Sequence, residues 1–91
     1  MYSDKSHFTV SELNFRLKNI LESSFDNIFV TGEISNFHNH SSSGHMYFTL
    51  KDGNCELRSA MFRRYNSQLN FNPINGLEVR VFGSVTFYEK K

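Results

Sequence analysis

Ninety-one residues at 10.6 kDa supply one small domain with one modest core, and a second independent domain is not expected. With 38% hydrophobic and 21% charged residues and a net charge of +1, the composition is globular rather than disordered or polybasic. No apolar run exceeds three residues, Met1–Lys5 has no signal-peptide core, and the lone Cys55 can form neither an internal disulfide nor a thiolate zinc site. The expectation is therefore a chain of the reducing cytoplasm, with no membrane segment.

In chain order, residues 1–8 are polar and expected to be loose, and residues 9–91 are expected to form the domain. Thr9 followed by Glu12 has the capping-box spacing, and Phe8 with Leu13 fits a hydrophobic staple. Val10, Leu13, Leu17, Ile20 and Leu21 recur at helical spacing, so residues 9–23 are predicted to form an amphipathic helix with Asn14, Lys18, Glu22 and Ser11 outward. Period two then takes over. Ile28, Val30 and Ile34 share a face of the first strand, with Gly32 among them as a signal for a bulge or bend. Residues 38–44 are a polar loop. In the second strand Met46, Phe48 and Leu50 alternate with His45, Tyr47, Thr49 and Lys51, and Asp52-Gly53 signals a hairpin. In the third, Leu57, Ser59 and Met61 alternate with Arg58, Ala60 and Phe62, with either set able to face the core. A short helix is predicted within 62–70 and a turn over 72–76. A long fourth strand is predicted from Leu77, with Val79, Val81, Gly83 and Val85 on one side and Arg80, Phe82, Ser84 and Thr86 on the other.

Three meandering strands, a helix and a further strand make most of an OB-fold, a mainly β Greek-key barrel that binds oligonucleotides on its strand 2–3 face. The fifth strand is missing, and the fourth-strand pattern runs to the last residue. An uncapped edge of this kind is expected to pair with a neighbouring copy or with the chain's own tail.

Composition adds two hints. Ten Phe and four Tyr give 15% aromatics, and residues 1–50 carry net −2 against +3 for residues 51–91. Aromatics interleaved with positive charge suit a single-strand nucleic-acid platform; equally, Phe packs ordinary β cores.

The string Gly32-Glu33-Ile34-Ser35-Asn36-Phe37, followed by Gly44-His45-Met46-Tyr47-Phe48-Thr49-Leu50-Lys51-Asp52, resembles the first two strands of the exodeoxyribonuclease VII large subunit. Met61-Phe62-Arg63, then Gly76, Val79, Val81, Gly83, Val85 and Tyr88, and the opening Thr9-Val10-Ser11-Glu12-Leu13 resemble that family too, so the likeness spans about residues 8–89. The resemblance implies the N-terminal OB-fold domain of a longer subunit that degrades single-stranded DNA to oligonucleotides alongside several copies of a small helical subunit. It places the catalytic residues in a later domain, so none is assigned here. The loop His38-Asn39-His40-Ser41-Ser42-Ser43 departs from relatives in lacking a basic residue.

The outward face of the second strand is the leading candidate site. Tyr47 can stack a base, His45 and Thr49 share its parity, Lys51 can neutralise a phosphate, and Arg58 on the adjacent strand can reach the same groove. Phe37 is a second candidate platform, or a core aromatic at the strand end. Arg63 and Arg64 could grip phosphate, dock on another domain or remain solvated. His38, His40 and His45 raise zinc, but no carboxylate or thiolate accompanies them, so no metal and no cofactor are expected. Cys55 and Glu33 are read as structural. The function expected is single-stranded DNA binding that delivers substrate to an active site elsewhere. The alternatives are a protein-interaction module docking on the catalytic domain or the small subunit, and a self-sufficient nuclease.

Overall fold

Thr9 starts the first helix for the expected reason. In a computed structural model that describes residues 6–87, the Thr9 hydroxyl accepts the Glu12 N–H at 3.1 Å and the Glu12 carboxylate accepts the Thr9 N–H at 2.7 Å. The elements run α1 (Val10–Ser24), β1 (Ile28–Asn39), β2 (Met46–Asp52), β3 (Cys55–Met61), α2 (Arg63–Asn66) and β4 (Glu78–Gly83). They fall into two compact units, a helical one up to Phe29 and from Phe82, and a sheet unit of Val30–Val81.

In the helical unit, Leu17 and Leu21 are half-buried, whereas Val10, Leu13 and Ile20 stay 77%, 43% and 55% exposed. Asn14 and Lys18, expected outward, are half-buried instead, so the covered stripe is turned toward that side of the helix. The ring of Phe8, expected against Leu13, lies 5.4 Å from the Arg16 guanidinium. Residues 1–5, part of the expected loose terminus, lie outside the described residues.

The long fourth strand ends at Gly83, sooner than expected. Beyond it the backbone serves the α1–β1 connection: Val85 N–H donates to Phe25 O at 2.9 Å, and Ser84 Oγ accepts Asn27 N–H at 3.2 Å. Ser84 and Thr86 hydroxyls also donate to Asp26 and Glu22 carboxylates. Phe29 and Phe82 rings pack 4.8 Å apart in this unit. The expected continuation past Phe87 lies outside the described residues.

The sheet is four-stranded in the order β3-β2-β1-β4, with β1–β2 and β2–β3 antiparallel. Among the described residues it is an open sheet edged by β3 and β4, the partial OB arrangement with a helix before strand 1 and a short helix after strand 3. The β2–β3 hairpin closes on the Asp52–Cys55 pair, so its two loop residues are Gly53 and Asn54 rather than Asp52 and Gly53. Gly53 at φ 59° supplies the glycine-first geometry of a type II′ turn.

Register settles which residues share a face. Ile34 pairs with Leu50 and Leu50 with Leu57, so the Leu57–Ser59–Met61 set lies with Met46, Phe48 and Leu50. Ile34 and Leu50, each 3% exposed, are the buried hydrophobic residues, and Thr49 is buried at 8% on the opposite face. Gly32 sits at a close approach, where an added Cβ would meet Leu50 Cβ and Lys51 O at 3.3 Å. A bulge lies between Ser35 and His38, where Asn36 and Phe37 together oppose Phe48. Asn36 takes φ 51°, and Asn75 Oδ1 accepts the Phe37 N–H at 2.9 Å. Next to β4, Gly76 at φ 91° leads a second two-against-one arrangement: Ile34 accepts the Gly76 N–H at 2.8 Å and donates to Leu77 O at 2.9 Å. No helix among the described residues is long and apolar enough to cross a membrane.

Candidate functional site

The bulge at Asn36 determines what stands on the second face of the sheet. Ser35 and His38 are three residues apart and would lie on opposite faces of a regular strand. The extra residue lets them pair with Thr49 and Tyr47, which share one face. That face therefore collects Glu33, Ser35 and His38 from β1, Tyr47, Thr49 and Lys51 from β2, and Glu56, Arg58 and Ala60 from β3. Tyr47 is 40% exposed, and Arg58 stands opposite Thr49, between the partners of Tyr47 and Lys51. Tyr47, Lys51 and Arg58 are thus brought onto one face, the first two by the parity of β2 and Arg58 by the β2–β3 register.

The electrostatics are less uniform than the sequence expectation. Lys51 Nζ lies 3.7 Å from Glu33 Oε2, and the register partner of Lys51 is Glu56. Two carboxylates therefore flank the lysine expected to meet phosphate. Arg58, Arg63 and Arg64 have no described carboxylate within 4 Å.

Aromatic rings extend the face beyond Tyr47. His40 and His45 lie 6.4 and 6.5 Å from Tyr47, centroid to centroid, His38 is 6.2 Å from His40, and Phe62 is 5.1 Å from His45. Neighbouring rings meet edge to face. The loop holds itself in place. His40 N–H donates to His45 O at 2.9 Å, Gly44 N–H donates to His40 O at 2.8 Å, and the His40 ring nitrogen Nδ1 lies 2.9 Å from Ser43 Oγ. His38, His40 and His45 form a line of rings, and no group of three metal-ligating side chains converges among the described residues.

The remaining candidates sit elsewhere. Phe37 belongs to the bulge, half-buried opposite Phe48, and not to the line of rings. Arg63 and Arg64 open α2, where the Arg64 guanidinium lies 4.8 Å from the Tyr65 ring. His45 joins this corner to the sheet, since its Nδ1 accepts the Arg63 N–H at 3.0 Å. Phe62, 49% exposed, is the aromatic that sequence reasoning passed over as a stacking candidate. Its signal was its shared parity with Arg58 and Ala60, continued one step past the end of β3.

Comparison with known proteins places this geometry in context. Residues 8–91 match the model of a family described as OB-fold nucleic acid binding domain. The chain is 48% identical over 89 residues to the exodeoxyribonuclease 7 large subunit of Yersinia enterocolitica, covering 98% of this chain and 19% of the relative. Proteins of the same name from Shewanella denitrificans and Halothermothrix orenii are each 46% identical, covering 92% of this chain and 19% and 21% of their own. The chain thus spans about a fifth of the length of the curated relatives it matches.

Proposed function

This chain belongs to the OB-fold nucleic acid binding domain family, and from that premise we propose that it binds single-stranded DNA on the β2–β3 face as the N-terminal domain of an exodeoxyribonuclease VII large subunit. It works in the cytoplasm and passes the strand to an active site carried by another part of that subunit. The observation that carries the reading is Tyr47: an open aromatic on the sheet's second face, beside Arg58 and in line with three histidine rings. Stacking on such a ring tolerates any base, and a few arginine contacts to phosphate supply sequence-independent affinity.

The test is a titration of fluorescently labelled oligothymidine with the 91-residue chain at several salt concentrations. About three phosphate contacts give a log–log slope near −2 for a single strand. No salt-dependent binding at high micromolar protein would overturn the reading. Nuclease turnover by the purified chain would overturn the placement of the active site.

A second role rests on a different element. The exposed Val10, Leu13 and Ile20 side of α1 is an apolar flank suited to dock on the rest of the large subunit or on the small subunit. Replacing Leu13 and Ile20 by Ser is expected to leave oligothymidine binding intact while weakening assembly of the full enzyme.

A further inference from the structure

Positive charge without a described acidic partner gathers at the β3–α2 corner more than around Lys51. Arg63 and Arg64 line a cleft of about 610 Å³ together with His45, Phe62 and Ser67. The cleft is shallow and open to solvent, so it can hold one face of a nucleotide rather than enclose it. One part of the lining is flat and apolar, the half-exposed Phe62 ring set edge to face on His45. The other is a pair of guanidinium groups, whose planar forks match phosphate oxygens.

The cleft is held in shape by its own hydrogen bonds. The Asn66 side-chain amide donates to Gly44 O at 2.9 Å and to Met61 O at 3.0 Å, tying α2 to the loop before β2 and to the end of β3. Gly44, at φ 76°, lets the Arg63 stem lie close: a Cβ there would come within 3.0 Å of Arg63 Cδ. Because His45 Nδ1 accepts the Arg63 N–H, the neutral ring carries its proton on Nε2 and keeps a donor there. These bonds fix the backbone of the corner, which lowers the ordering cost of that part of the site.

We propose that this cleft is a one-nucleotide subsite in which a base rests on Phe62 and its phosphate is held by Arg63 and Arg64. The subsite rests on the single-stranded DNA reading above and adds the point at which a strand leaves the sheet face. Tyr47, His45 and Phe62 mark the route, at ring spacings of 6.5 and 5.1 Å. Phe62, rather than Phe37, is then the second stacking platform.

The experiment is an amide and imidazole NMR titration of the chain with thymidine monophosphate, with thymidine, and with a twelve-nucleotide oligothymidine, alongside the variants Phe62→Leu and Arg63→Gln/Arg64→Gln. Thymidine monophosphate is expected to shift the Arg63 and Ser67 amides and the His45 ring, with thymidine doing so several-fold less. The double arginine variant should abolish that difference and lower the oligothymidine salt slope by about 0.7, the loss of one phosphate contact. Phe62→Leu should weaken oligothymidine binding by about fivefold or more. If the oligonucleotide binds and shifts Tyr47 and Arg58 while the cleft stays silent and Phe62→Leu binds as wild type, the subsite is wrong and the DNA reading stands. If the oligonucleotide does not bind at all, the DNA reading falls, and the subsite's place on a strand falls with it.

Discussion

Glu33 limits what Lys51 can contribute. The pair is 3.7 Å apart with both side chains nearly half exposed, so it adds no more than about 1 kcal/mol to stability and weakens in salt. It still matters for binding, because a phosphate must compete with the Glu33 carboxylate for the lysine. Lys51→Gln is therefore expected to cost less oligothymidine affinity than Arg58→Gln, whose side chain has no described carboxylate within 4 Å. Glu33→Gln should tighten binding a few-fold at low salt and steepen the salt slope, measured by fluorescence anisotropy. An unchanged or weakened Glu33→Gln would mean that Lys51 is not part of the interface. The parity of β2 alone puts Tyr47 and Lys51 on one face, but the Glu33 pairing depends on the β1–β2 register, which alternation within a single strand does not specify.

Local signals in the sequence translated into elements where a short segment decides its own conformation. The α1 cap is such a case, and it makes α1 sensitive to acid. The Thr9 N–H and then the Thr9 hydroxyl hold the Glu12 carboxyl below its ordinary value of 4.5. A carboxyl depressed in the folded state stabilises it above the unfolded value and loses that contribution as pH falls through the folded one. Helicity at the start of α1 should therefore be full above about pH 4.5 and decline below it. Glu12→Gln should flatten that part of the profile, as read from Leu13 and Asn14 amide exchange; an identical profile in Glu12→Gln would exclude the cap as its source. The Asn36 bulge was the opposite case. No glycine marks it, because asparagine also tolerates the left-handed region. Asn36→Gly should fold with near-native stability, whereas Asn36→Val should lose about 1–2 kcal/mol in chemical denaturation. A tolerated Asn36→Val would show that the left-handed residue is not required for the bulge. The stacking role of Phe62 was hidden for a related reason: it lies just past β3, where the alternation gives way to α2, so its link to His45 needed the β2–β3 register.

At the scale of the whole molecule, the small core and the open sheet pull in one direction. Ile34 and Leu50 are the buried hydrophobic residues among the described ones, and a sheet with so little buried apolar area has little stability in reserve. The β3 edge offers backbone hydrogen-bonding groups, and Leu57, 42% exposed, adds apolar surface beside it. Pairing across this edge would satisfy those groups and cover Leu57 in one step. Glu56 and Arg58 sit on the same strand with opposite charges, so two antiparallel copies can place unlike charges opposite one another. The expectation is reversible, concentration-dependent association, seen by sedimentation velocity between micromolar and millimolar chain. Arg58→Glu, at an exposed β3 position, sets carboxylates opposite one another across the two copies in that register and should hold the chain monomeric with an unchanged melting temperature at low concentration. A chain that stays monomeric at millimolar concentration would show that the charged face of β3 already protects the edge, and that the strand which completes this sheet is not a second copy.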